Sequence, residues 1–226
     1  MSTDSTASLG PAARRALGTV LELLAEERAS VSSVVDERAW RVHVADSLTG
    51  LEVEGLRDAS RIADVGAGAG FPGLALAVAL PNAHVDLIES VGRKCEFMGR
   101  AIAAAGIANA TVLNLRSEEW AGADGHDAYD AVTARAVGRL STLAELASPL
   151  LKPNAVLVAW KGKRDPDEEQ QLGRASESLA MAPELILDVG DRAGSQHRHL
   201  HVIRKSGPTP DDLPRRPGIA KKRPKG

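Results

Sequence analysis

Cysteine is almost missing from this 226-residue chain. Cys95 stands alone, which excludes an intramolecular disulfide and any Cys-based metal cluster. A lone thiol of this kind reads as a small hydrophobe packed on a helix. Aromatic residues make up only 3% of the chain, too few for a module that stacks bases on aromatic side chains. No apolar run approaches the roughly 20 residues that cross a bilayer. The N-terminus, MSTDSTASLG, has no basic stretch followed by an apolar one, so no secretory signal is expected. These absences point to a cytoplasmic protein that meets no membrane. What is present is ordinary for a soluble domain, 43% apolar and 26% charged. A chain of this length buries about 70% of its unfolded surface without a disulfide or metal to hold it.

The net charge of −2 hides an asymmetry. Residues 204–226 hold eight Lys/Arg against two Asp, or +6, which leaves 20 against 28, or −8, for the rest. An acidic body with a basic tail suggests that the tail either meets something anionic or is simply solvated. The tail is rich in Pro, Lys and Arg and poor in apolar residues, so no regular structure is expected after Ser206.

Residues 10–27 carry Ala13, Leu17, Val20, Leu21 and Leu24 on one helical stripe, with Pro11 at a tolerated first position. Residues 38–51 repeat the pattern through Trp40, Val44, Leu48 and Leu51. These two helices predict an N-terminal cap over residues 1–58. From Arg61 onward, strands alternate with helices. Strands are expected at 62–65, 85–89, 111–115, 130–134, 155–160, 184–189 and 199–204. Helices are expected at 72–80, 91–105, 140–151 and 165–181. This alternation predicts an α/β fold: a doubly wound, seven-stranded, mainly parallel sheet with helices on both faces. The last two strands, with no helix between them, read as an antiparallel hairpin. The main domain would span 59–206 and the basic C-terminal tail 207–226.

The densest signal is Asp64-Val-Gly-Ala-Gly-Ala-Gly-Phe-Pro-Gly73, between a predicted strand and a predicted helix. Ligands of open α/β sheets bind outside the carboxyl ends of the strands. Glycines there allow close backbone approach. The next strand ends at Glu89, placed to accept hydrogen bonds from both hydroxyls of a ribose. Gly66, Gly68 and Glu89 together therefore predict an adenosine cofactor. Residues 68–73 satisfy the dinucleotide pattern G-x-G-x-x-G, and residues 66–70 satisfy G-x-G-x-G of S-adenosylmethionine enzymes. The second frame begins at the strand end, and Asp64 would suit a cationic methionine better than a pyrophosphate. S-adenosylmethionine is the favoured cofactor.

DVGAGAGFPGLALA resembles the first motif of the bacterial glucose-inhibited division protein B family, the guanine-N7 methyltransferases of small-subunit ribosomal RNA. Further motifs follow in order. His43-Val-Ala-Asp46-Ser47 resembles the family's H-x-x-D-S helix. Leu87-Ile-Glu89-Ser90 with Gly92-Arg93-Lys94 resembles its acidic second motif. Arg116-Ser-Glu-Glu119, Thr133-Ala-Arg135, Trp160-Lys161-Gly162 and Arg198-His-Leu200 resemble later segments. Pro214-Arg-Arg-Pro-Gly218 with Lys221-Lys-Arg-Pro224 resembles its ending. The resemblance runs from about residue 35 to the C-terminus. One departure is the stretch 29–34, which lacks the family's Asn, so no role is assigned there.

The resemblance implies a Rossmann-like class I methyltransferase acting on N7 of a guanine in 16S ribosomal RNA, free or in the small subunit, as a monomer. It implies cofactor contacts at Gly66, Phe71, Ser117, Glu118 and Arg135. Guanine N7 carries an in-plane lone pair and no proton, so no general base and no metal are expected, and no catalytic residue is assigned. His197, His199 and His201 alternate along a strand but lack a partner carboxylate. His43, on the cap helix, either orients the base or packs as a core histidine. With RNA as substrate, Lys161, Arg198, Arg215, Arg216, Lys221, Lys222 and Arg223 become candidates for phosphate contact. With few aromatics, shape rather than stacking would select the target, one base entering the pocket. Two rival readings are an NAD-dependent oxidoreductase, on the offset glycine frame, and a non-catalytic RNA-binding assembly factor. The first lacks Tyr-x-x-x-Lys, because Thr133 follows the single Tyr129 by four. The second would favour a degraded glycine loop, and this loop is intact.

Overall fold

Alternate residues of the central strands feed two separate cores. Ile62, Leu87, Ala131, Val158 and Leu200 face one side of the sheet, while Ala63, Ile88, Val132, Leu157 and Ile203 face the other. A sheet buried on both faces is what near-continuous apolar strands require. The computed structural model describes residues 9–27, 32, 34, 38–190 and 197–226. The strands are β1 Arg61–Val65, β2 His84–Ile88, β3 Ala110–Leu113, β4 Tyr129–Arg135, β5 Leu151–Lys161, β6 Met181–Asp188 and β7 His199–Lys205. Their order is β3-β2-β1-β4-β5-β7-β6.

Pairs β1–β2, β1–β4, β2–β3 and β4–β5 are parallel. β7 inserts between β5 and β6 and is antiparallel to both. The expected hairpin is thus present, but only β7 opposes the rest of the sheet; β6 runs with it. β1 is the first strand laid down, and its neighbours β2 and β4 belong to opposite halves of the winding. That switch point opens a crevice beyond the strand ends.

Helix α1, Pro11–Glu26, buries Leu17, Val20 and Leu24 and packs on α4, Gly73–Ala79, and α5, Gly92–Ala105. The expected single helix at 38–51 is irregular. A π-helical turn, Trp40–Ala45, runs into α2, Asp46–Leu48, then a tight 3₁₀ turn, Thr49–Glu52, and α3, Glu54–Arg57. Side-chain bonds back to the backbone accompany the change of pitch: Ser47 Oγ donates to the His43 carbonyl and Thr49 Oγ1 to that of Asp46. Trp160 holds this cap to the sheet. Its indole Nε1 donates to the Asp46 carbonyl at 2.8 Å, and its ring lies where a side chain at Gly50 would fall.

On the other face are α6, Ser117–Ala121, α7, Leu140–Ala147, and α8, Pro166–Leu179. The five residues of α6 are too few to show a helical period in the sequence. α7 ends at Ala147, short of residue 151, because β5 begins at Leu151.

The segment after Ser206 is ordered, contrary to expectation. Leu213 and Ala220 are buried, and a short helix, α9, forms at Ile219–Lys222. Composition predicted otherwise because the segment has little apolar surface of its own. It docks through polar anchors instead. Arg215 grips the buried Glu145 with two bonds of 2.5 Å, and Lys225 Nζ donates to the Ser178 carbonyl at 3.1 Å. Among the described residues, no helix is long and apolar enough to cross a membrane.

Candidate active site

A cleft of ≈160 Å³ opens beyond the carboxyl ends of β1 and β2. Gly66, Glu89, Ser117 and Glu118 line it, with Val137 after β4 and Lys221 from the C-terminal segment. Gly66 leaves β1 at φ +68°, a left-handed conformation that favours glycine. A Cβ there would come within 2.7 Å of Val137, so a side chain at 66 would crowd the cleft wall.

The glycine loop is tied down by two carboxylates. Glu89 is buried, and its Oε2 accepts from Gly68 N at 3.1 Å while Oε1 accepts from Val91 N at 2.9 Å. Each oxygen keeps a further lone pair for a ligand hydroxyl. Asp64 behaves differently from expectation. It is fully buried behind the loop, where Oδ2 accepts from Gly73 N at 2.9 Å and Oδ1 from Thr133 Oγ1 at 3.0 Å. Burial pushes its carboxyl up to about 6, against these two bonds. Asp64 therefore shapes the loop from within and is not available to a cationic methionine.

Ser117 and Glu118 begin α6, placed just after β3 by the return of Glu119 Oε2 to Arg116 N at 2.8 Å. Ser117 Oγ donates to Glu118 Oε2 at 3.2 Å, and Glu118 Oε1 accepts from Gly218 N at 2.8 Å.

Phe71 and Arg135 gather elsewhere, under the cap. Phe71 is buried and stacks on His43, with ring centroids 5.0 Å apart and planes inclined by 22°. Arg135 Nη1 donates to Asp46 Oδ2 at 2.8 Å and to the Val42 carbonyl at 3.0 Å. Arg198 Nε donates to Asp46 Oδ1 at 2.7 Å. Asp46 is wholly buried, so this carboxylate draws both guanidinium groups inward. His43 is 6% exposed, packed between Phe71 and the cap. Its Nε2 donates to the Val34 carbonyl at 2.9 Å, leaving Nδ1 to face Arg135 Nη2 at 3.4 Å. Burial lowers its pKa, and the positive field of Arg135 adds to this against the Val34 bond. Asp46, unassigned from sequence, is the centre of this cluster; its place in the H-x-x-D-S motif was the available signal. Of residues 29–34, the unassigned departure, only Ser32 and Val34 are described; Ser32 Oγ lies 3.2 Å from His43 Nε2.

The basic candidates divide by pairing. Lys161 Nζ bonds Glu168 Oε1 at 2.7 Å and the Gly138 carbonyl at 2.9 Å, and Arg215 is committed to Glu145. Both charges are paired within the fold. Arg216, Lys221, Lys222 and Arg223 are exposed.

Residues 19–200 match the family model described as rRNA small subunit methyltransferase G. The ribosomal RNA small subunit methyltransferase G of Rubrobacter xylanophilus is 40% identical over 80% of this chain and 71% of its own. That of Bacillus subtilis is 33% identical over 96% of this chain and 92% of its own. Among solved structures, the fibrillarin pre-rRNA processing protein of Methanococcus jannaschii superposes with a TM-score of 0.57 at 18% identity, covering 72% of this chain and 74% of that one. A SAM-dependent methyltransferase from Aquifex aeolicus gives 0.53 at 19%, covering 75% and 93%. The structural likenesses establish a Rossmann-like methyltransferase fold. With sequence identity spread over most of both chains, the protein belongs to the rRNA small subunit methyltransferase G family.

Proposed function

We propose that this protein transfers a methyl group from S-adenosylmethionine to N7 of a guanine in 16S ribosomal RNA, in the cytoplasm. The observation that carries the cofactor is the cleft itself: a bare backbone at Gly66, a strand-end carboxylate at Glu89 and polar groups at Ser117 and Glu118 around one opening. Gly66, Gly68, Glu89, Ser117 and Glu118 would hold it. When bound, S-adenosylmethionine supplies an electrophilic methyl group on a sulfonium.

The remaining work falls to the chain. Guanine N7 has a lone pair ready for attack, so alignment and exclusion of water supply the rate. His43 has no lone pair to spare for a proton: Nε2–H is spent on Val34 and Nδ1 faces Arg135. It serves as packing between Phe71 and the cap. Arg135 and Arg198 carry two positive charges against the one negative charge of Asp46, leaving a net cation for an RNA phosphate. Arg216, Lys222 and Arg223 extend that field on the surface. The cap (1–58), the sheet domain (59–206) and the C-terminal segment (207–226) thus divide between substrate closure, cofactor and RNA approach.

The test is to purify 16S RNA from a strain lacking the protein and from its parent. Incubation with protein and S-adenosylmethionine should restore one N7-methylguanine, located by borohydride reduction and aniline cleavage at the modified base. Absence of any methylated guanine, or methylation on an exocyclic nitrogen, would overturn the proposal.

A further inference from the structure

We infer that the C-terminal segment is a wall of the cofactor cleft, and that Gly218, Ala220 and Lys221 are cofactor-binding residues. This rests on the S-adenosylmethionine reading above and adds a part of the chain to it. All three residues line the same cleft as Gly66 and Glu89. Ala220 is only 3% exposed.

The segment is fastened at both sides of the opening. On one side Gly218 N donates to Glu118 Oε1 at 2.8 Å. On the other, Thr142 Oγ1 of α7 donates to the Ala220 carbonyl at 3.3 Å. Arg215 locks the approach. Its guanidinium pairs with both oxygens of Glu145 and donates to the Arg223 carbonyl at 2.8 Å, so one side chain clamps the start and end of the turn. A planar fork on a buried carboxylate sets position as well as energy. Glu118 is the hinge of the matter. One oxygen accepts from Ser117 in the cleft and the other from Gly218 in the segment, so one carboxylate ties the two together.

Two consequences follow from this geometry. A ligand seated against Glu118 and Ala220 stabilises the docked segment, and docking strengthens the ligand by the same factor, as linkage requires. The positive side chains of the segment then split by role. Lys221 lines the cleft, while Lys222 and Arg223 remain exposed outside it. A purely RNA-binding tail would leave cofactor affinity untouched; a wall would not.

The experiment uses the full chain without RNA. Trypsin should cut after Lys221 and Lys222 at least fivefold more slowly with saturating S-adenosylmethionine, because cleavage samples the undocked segment. NAD at the same concentration should give no protection. Calorimetric titration should show Ala220→Leu weakening S-adenosylmethionine binding at least tenfold, with circular dichroism unchanged. A chain ending at Pro214 should weaken it similarly; should that chain fail to fold, Ala220→Leu and the protection assay decide. Parental affinity in Ala220→Leu, or unchanged cleavage with S-adenosylmethionine bound, would overturn the inference and leave the cofactor reading standing. Failure of the parent itself to bind S-adenosylmethionine would instead remove the reading beneath it.

Discussion

Asp46 and Arg135 bind each other across the seam between the helical cap and the sheet, Oδ2 to Nη1 at 2.8 Å. The second oxygen of Asp46 takes Arg198, so one buried carboxylate joins the cap, the end of β4 and the start of β7. Three segments far apart in sequence meet at one negative charge. Loss of that charge leaves two guanidinium groups in a poorly solvated seam.

Asp46→Asn should therefore lower stability by about 3 kcal/mol, the low end for breaking a buried ion pair, since both arginines keep some contact with water. It should also misplace Arg135 and Arg198. KM for RNA should rise at least tenfold while the Kd for S-adenosylmethionine stays within twofold. Urea denaturation and steady-state kinetics measure the two effects. A matched fall in cofactor affinity would show that Asp46 acts only through global stability.

Gly66→Val puts a β-branched side chain at φ +68° and against Val137. The left-handed backbone alone costs about 2 kcal/mol. S-adenosylmethionine binding should vanish in a chain that still folds, as read by calorimetry beside thermal unfolding. Binding within tenfold of the parent would mean that the cleft does not use this wall.

Asp64 makes stability depend on pH in an unusual direction. Burial raises its carboxyl from 3.8 to about 6 in the fold. A raised carboxyl favours the protonated native state, so its contribution is complete below about pH 4, declines as pH rises, and is gone above about pH 6. The displacement corresponds to about 3 kcal/mol. Asp64→Asn removes the ionisation but keeps an acceptor. The stability difference between parent and variant should shift by that amount between pH 4 and pH 7, against the parent. A difference independent of pH would show that Asp64 stays charged in the fold.

His43→Gln tests for a base. The ring is stacked on Phe71, its pKa is lowered by burial, and both nitrogens are occupied. Single-turnover rates from about pH 5.5 to 8.5 should fall by roughly tenfold or less in the variant, with the profile unchanged in shape. A histidine limb present in the parent and missing in the variant would make His43 the proton acceptor.

Local pattern was enough for the strands, the long helices and the glycine loop. Period-two and period-3.6 burial, and a glycine run at a strand end, are properties of neighbouring residues. Gly66, Glu89, Ser117 and Glu118 were legible for the same reason, since each sits at or just beyond the end of a strand. Long-range pairing carried no such signal. Asp64 looks like a ligand for a cation until the fold buries it under Gly73 and Thr133. Lys161 and Arg215 look like free charges until Glu168 and Glu145 pair with them. The tail reads as solvated because its docking depends on ion pairs and backbone bonds rather than on an apolar stripe. The sequence by itself determined the order of elements and the glycine loop at the end of β1, because both follow from chain-local sterics and hydrophobic period. Only the tertiary structure decided which charges are free, because the partner of a charge can lie anywhere in the chain and burial decides whether it is needed.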